Sequence, residues 1–188
     1  MSRSDERPYM IRTYDRWFIL LIVLVAGWYL FRPIFAYTAY YRGVSFERMI
    51  QTKTAEHYYR KAIAIYPAGP DGWIALGELY YMWAPAQPAY YERGVDLLRR
   101  GLAFNPENAK LAFDLGRMYF RAHDYGHAIP VLLQSARNDP RGMFAWDYAA
   151  WASLHLGRRV DAGLFWRRAL RITPSNPAVL AALKHYGV

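Results

Sequence analysis

The 188-residue chain has no cysteine. That absence excludes disulfides, c-type haem attachment, cysteine-ligated zinc and thiolate nucleophiles, and leaves the redox compartment open. Lysine is scarce: of 24 basic residues, 20 are arginine, a preference read as a bacterial trait. Acids number only 15, leaving a formal charge of +9. Chains of that charge bind nucleic acid, anionic lipid or acidic partners. Here, however, no block of five or more basic residues occurs, and acids lie among the arginines. The pattern reads as solvated helix surface with a membrane-proximal bias, and argues against nucleic acid. The chain also lacks a P-loop, a G-x-G-x-x-G turn and a nucleophile elbow. His123-Asp124-Tyr125-Gly126-His127 differs from the H-E-x-x-H zinc motif in offering Asp where a Glu base is needed, and Gly126 falls in an expected inter-helix turn. His57 and His155 show no spacing of a triad or metal cluster. No catalytic residue, metal ligand or cofactor site is predicted.

What the chain does hold is apolar and aromatic. Hydrophobic residues make up 54% and aromatics 18%, including 17 Tyr and 7 Trp, enough to bury a core and to furnish helix-pair, membrane and protein interfaces. Trp17 to Phe31 reads WFILLIVLVAGWYLF, without a charge. Arg32-Pro33 interrupts the run, and IFAY carries it to Tyr37. A helix crossing a bilayer core of about 30 Å needs about 20 residues, which 17–37 supply if Arg32 reaches towards the headgroups. Trp17 at one end, and Trp28, Tyr29, Tyr37, Tyr40 and Tyr41 towards the other, suit the two interfaces. A cleaved signal peptide would need a small-x-small site. The nearest approach, Ala36-Tyr37-Thr38, is surrounded by bulky rings. A run apolar on every face is read as a membrane span in preference to a buried soluble helix. Basic residues are nearly balanced around the segment: Arg3, Arg7, Arg12 and Arg16 before it, Arg32, Arg42 and Arg48 after it. The short basic leader predicts a single-pass inner-membrane protein with the remainder on the extracytoplasmic side.

From residue 46 onward the chain repeats. Pro67, Pro106, Pro140 and Pro174 each close an amphipathic stretch, the last two intervals being 34 residues and the first 39. Trp73-x2-Leu76-Gly77-x2-Tyr80 recurs as Ala112-x2-Leu115-Gly116-x2-Tyr119 and as Trp146-x2-Ala149-Ala150-x2-Ser153. Before each proline a second pattern recurs: Ala55-x3-Tyr59-x2-Ala62, Gly94-x3-Leu98-x2-Gly101, Ala128-x3-Leu132-x2-Ser135 and Ala162-x3-Trp166-x2-Ala169. Small residues at those places let paired helices approach closely, large ones fill the space around them, and proline ends the second helix.

In this register the chain resembles the tetratricopeptide repeat family, with its W-x2-L-G-x2-Y, A-x3-F and P signature over 34 residues. The resemblance implies an all-α chain: one N-terminal transmembrane helix, then an α-α solenoid of about three full repeats with half-repeats at the ends. The expected divisions are a tail at 1–16, membrane helix and juncture at 17–41, and solenoid at 42–188. The second helix of the first unit is expected at about Phe46–Tyr66, with Gly43 at the small position of its first helix. Residues 82–92, MWAPAQPAYYE, insert about five residues, and Pro85 and Pro88 break the helix there. Pro130 predicts a helix starting near Ala128 or a kinked one. Residues 177–187 read as a closing helix.

The family binds peptides or helices on the face lined by the first, or A, helix of each pair. The exposed A-face should hold Ile74, Glu78 and Tyr81, then Lys110, Phe113, Arg117 and Phe120, then Asp147, Trp151 and His155. These aromatics and charges suit partner anchors with a polar rim, and equally suit packing between neighbouring helices. No asparagine lies there to build the family's clamp for a terminal carboxylate. The expected function is a membrane-anchored scaffold, an accessory subunit or assembly factor of a membrane protein complex. Its membrane contacts include Trp17, Trp28, Tyr29 and Arg32. A basic lipid- or nucleic-acid-binding helical module, with arginines gathered on the second helices, is the alternative.

Overall fold

The computed structural model describes the chain from Thr13 to Val188, with side chains from Arg16 onward. The expected tail up to residue 15, with Arg3, Arg7 and Arg12, lies outside the described side chains. Every regular element among the described residues is a helix: α1 (Thr13–Arg48), α2 (Thr52–Ile65), α3 (Pro70–Trp83), α4 (Ala89–Phe104), α5 (Ala109–Arg121), α6 (Tyr125–Asn138), α7 (Met143–His155), α8 (Arg159–Ile172) and α9 (Pro177–Tyr186). They stack as consecutive antiparallel pairs, and α9 closes the array.

The start and stop signals are local. Asn108, Asp124 and Asn176 cap α5, α6 and α9, accepting from Leu111 N at 2.9 Å, His127 N at 3.2 Å and Val179 N at 3.1 Å. Pro70 and Pro177 open α3 and α9, where a missing N–H is no loss. The repeated prolines act at a fixed distance: α2, α4, α6 and α8 each end two residues before Pro67, Pro106, Pro140 and Pro174. The residue before proline is driven from helical backbone, so the helix stops there.

Three of the A-to-B turns share one geometry. Ile50, His123 and Gly157 occupy left-handed backbone, with φ of 61°, 60° and 74°. The next residue's N–H then bonds the carbonyl five back: Gln51 to Phe46, Asp124 to Tyr119 and Arg158 to Ser153, each at 2.9 Å. This is the Schellman closure, which satisfies the last carbonyls of the A helix. The insertion breaks the pattern between α3 and α4, where residues 84–88 form the link.

Helix pairs close over small residues. A Cβ built on Gly77 would stand 2.5 Å from Leu98 Cδ2, and one on Gly116 2.5 Å from Leu132 Cγ. Gly43 of α1 meets Tyr59 of α2 in the same way, 2.5 Å from the ring. The last turns of α1 are therefore the A helix of the first unit. Trp73, Tyr80, Tyr119 and Trp166 are buried as expected, whereas Trp146 stays partly exposed beside Phe165 and Arg168.

Two boundaries differ from the sequence expectation. Phe46–Arg48 belong to α1, so the first B helix starts only at Thr52. The α6 helix starts at Tyr125, three residues before Ala128, and carries Pro130 beyond its first turn. Gly126 is accordingly inside α6, not in the turn. The left-handed His123 followed by the Asp124 cap moves this start upstream.

Candidate functional site

The A helices α3, α5 and α7 lie side by side and join across repeats through their side chains. Lys110 Nζ on α5 donates to Glu78 Oε1 on α3 at 2.6 Å and to Asp114 Oδ1 and Oδ2 at 2.7 and 2.8 Å. Arg117 Nη2 donates to Asp114 Oδ1 at 2.9 Å. Two guanidinium groups contact one ring: Arg117 lies 4.5 Å and Arg121 4.3 Å from the centre of Tyr81. Arg121 Nη1 also donates to the Tyr81 carbonyl at 3.1 Å. Phe113 and Phe120 of α5 meet Tyr148 of α7 edge to face, at 5.6 and 5.2 Å between centres. His155 stacks on Tyr125 at 4.5 Å and touches Phe120.

Alternating charge and ring positions thus run across three repeats. The centre of the row is desolvated. The Asp114 side chain is only 2% exposed, and burial pushes its carboxyl above the ordinary value although Lys110 and Arg117 pull it down. Arg117 Nε is buried and has no partner among the described residues. Burial likewise raises the Tyr148 hydroxyl. Glu78 and Lys110 at the rim remain roughly half exposed, at 46% and 43%. Three cations (Lys110, Arg117, Arg121) against two anions (Glu78, Asp114) leave one net positive charge in the cluster.

The expected site residues separate into two groups. Glu78, Tyr81, Phe113, Arg117 and Phe120 come together in this row, with His155 at its edge. Ile74 packs half-buried against the main core. Asp147 and Trp151 turn towards the last repeat: Asp147 Oδ1 accepts from Trp166 Nε1 at 2.9 Å, and Trp151 meets Trp166 and Tyr186 edge to face. Three members, Asp114, Arg121 and Tyr148, were outside the sequence expectation. Lys110, Asp114, Arg117 and Arg121 follow at steps of 4, 3 and 4, the spacing of one helix stripe. Phe113 and Phe120 flank that stripe.

The His123–His127 segment serves the turn. Asp124 holds the His127 N–H and its ring Nδ1, while His123 Nδ1 pairs with the Tyr125 hydroxyl at 2.8 Å. The two rings thereby have different partners.

At the other end, α1 presents Trp17, Phe18, Ile19, Trp28 and Tyr29 outward, all about half or more exposed. It is long and apolar enough to cross a membrane, and none of its apolar window is buried in the protein. Arg32 is not simply extended to solvent: its guanidinium lies 5.3 Å from the Tyr29 ring and 5.2 Å from that of Tyr66, just past α2.

No protein-family model matches the chain, and no curated protein does. Solved structures do. A thermophilic TPR protein of Thermus thermophilus superposes with a TM-score of 0.63 at 19% identity, over 79% of each chain. A MamA structure gives 0.65 at 19%, over 74% of this chain and 78% of the other. PilF of Pseudomonas aeruginosa gives 0.65 at 21%, over 79% of this chain and 65% of its own. At these identities the likeness shows the fold: residues beyond the apolar stem form a tetratricopeptide-type solenoid, whose stacked pairs present one extended surface.

Proposed function

We propose that this tetratricopeptide-type solenoid is a protein-protein interaction scaffold, held at a membrane by α1 and serving as accessory subunit or assembly factor of a membrane protein complex. One observation carries the reading. The stem and the first A helix are a single helix, packed through Gly43 on Tyr59, so the anchor is rigidly joined to the array. A floppy tether would permit capture anywhere near the membrane. A continuous helix holds the A-helix row at a defined height and direction, which suits a partner that is itself embedded. The row offers rings for burial at its centre and the Glu78–Lys110 pair at its rim, the composition of an interface with anchors and a polar border. Ile74, Asp147 and Trp151 take a supporting part, fixing α3 and α7 behind it. Trp17, Trp28, Tyr29 and Arg32 set the depth of the stem. Arg12 and Arg16, just ahead of the apolar run, favour the solenoid on the extracytoplasmic side.

The test is purification of the tagged full-length chain in mild detergent, with identification of co-purifying proteins. A membrane protein complex is expected. Recovery of the chain alone and monodisperse overturns the reading. Glu78→Gln removes the rim carboxylate while Lys110 keeps its contact with the buried Asp114. It should leave thermal unfolding nearly unchanged and lower partner recovery about tenfold, as loss of a rim charge does at interfaces.

A further inference from the structure

We infer that the cleft between α1 and α2 holds one anionic phospholipid drawn from the bilayer leaflet; this rests on the reading that α1 crosses a membrane. The cleft encloses about 310 Å³, within the size range of small-molecule sites. Its walls are graded along the helix. Trp28, Phe35, Ala39 and Ile65 make the end nearer the stem, with the Trp28 and Phe35 rings stacked at 6.1 Å. Arg42 and Lys61 stand at the far end with Tyr58, and Thr38, between the two ends, turns its hydroxyl back to the Ile34 carbonyl at 2.9 Å. No carboxylate lines it. Among the described residues neither Arg42 nor Lys61 belongs to an ion pair.

Depth matches this gradient. With residues 17–37 filling the hydrocarbon core, Arg42 stands five residues, or about 7.5 Å, beyond it, within the headgroup layer. The α2 helix runs back towards the bilayer, so Lys61 faces the same layer while Ile65 points to the acyl region. An occupant must therefore be apolar at one end and anionic at the other, at the height where phospholipids already stand. A peptide or a nucleic acid strand would satisfy only the upper end.

The opposite flank of α1 shows the contrast. A larger cavity of about 470 Å³, lined among others by Pro33, Tyr37, Tyr40 and Tyr66, lies at a similar depth but includes Asp71 and no basic side chain. It repels what the first cleft attracts. A lipid seated between Arg42 and Lys61 would tie the first B helix to the leaflet and steady the solenoid above it.

The experiment uses full-length protein in mild detergent with phosphatidylglycerol or phosphatidylcholine of equal chain length, bound lipid being counted by native mass spectrometry. Wild type should retain phosphatidylglycerol preferentially. Each basic group near an anionic surface contributes about fivefold, so R42Q/K61Q should lose on the order of thirtyfold in retention. R42K/K61R, which keeps both charges, should retain it. R137Q/R141Q, with the same charge loss far along the array, should behave as wild type. Equal retention of both lipids by wild type, or full retention by R42Q/K61Q, overturns the inference. Flotation with vesicles separates the two readings: wild type that floats without headgroup preference sinks only the lipid site, whereas wild type that does not float sinks the membrane anchor with it.

Discussion

Asp147 accepts the indole N–H of Trp166 from a half-buried position on α7, and burial raises its carboxyl above the ordinary 3.8 even though the Trp166 and Trp151 hydrogen bonds pull the other way. A raised folded-state value means that the folded chain holds this proton to a higher pH than the unfolded chain does. The ionised form therefore costs stability, and that cost disappears as pH falls through the folded value towards 3.8. Asp147→Asn keeps an oxygen for Trp166 and removes the titration. Thermal melts at stepped pH should show wild type gaining on the variant as pH falls just above 3.8 and no divergence near neutrality; a wild type that loses ground there contradicts the assignment. The same local chemistry explains what the sequence concealed at this level. Trp151 and Asp147 sit on the expected side of a helix, but Trp166 and Tyr186 draw them into the last repeat. Which of two neighbours an aromatic chooses depends on helices far apart in the chain.

Turns show a different balance. Ile50 stands where Gly157 and His123 stand in later repeats, a β-branched residue in left-handed backbone and 85% exposed. Such backbone costs an L-residue about 1–2 kcal/mol, and a glycine's extra freedom in the unfolded chain returns roughly half of the gain. Ile50→Gly should stabilise the fold by about 1 kcal/mol, read as a higher Tm in detergent. No loss of packing opposes it, since the side chain touches little. Helix boundaries were legible wherever a proline followed, because its steric effect acts on the adjacent residue. The α6 start was not, because Pro130 drew attention to itself while the cap lay six residues upstream. The first B helix was misplaced because Phe46–Arg48 look equally amphipathic in either helix, and only the Schellman closure at Gln51 separates them.

The whole array behaves as a chain of neighbours. Each pair covers the next, and α9 covers the last: Val179 and Ala182 are buried on it, and Val188 lies over Gly163 of α8. Without residues 177–188 the Trp166 ring loses its stack with Tyr186. Removal should cost on the order of 3 kcal/mol, the burial of one or two large apolar side chains. Because each repeat contacts mainly its neighbours, hydrogen exchange should report the loss in α7 and α8 while amides of α1 to α4 keep their protection. Uniform loss across the solenoid would show that it folds as one unit instead.

Periodicity alone was sufficient for the helical class, the repeat length and the small-residue contacts, since each follows from side chains three or four positions apart on one helix. The apolar stem was equally legible, because a run of that length has no polar face to bury. Gly43 at the joint and most residues of the row from Glu78 to His155 were also legible, but the partners within that row and the graded cleft between α1 and α2 required the folded chain. Each brings together residues from different helices, and their spacing in sequence carries no trace of which ring or charge will lie opposite.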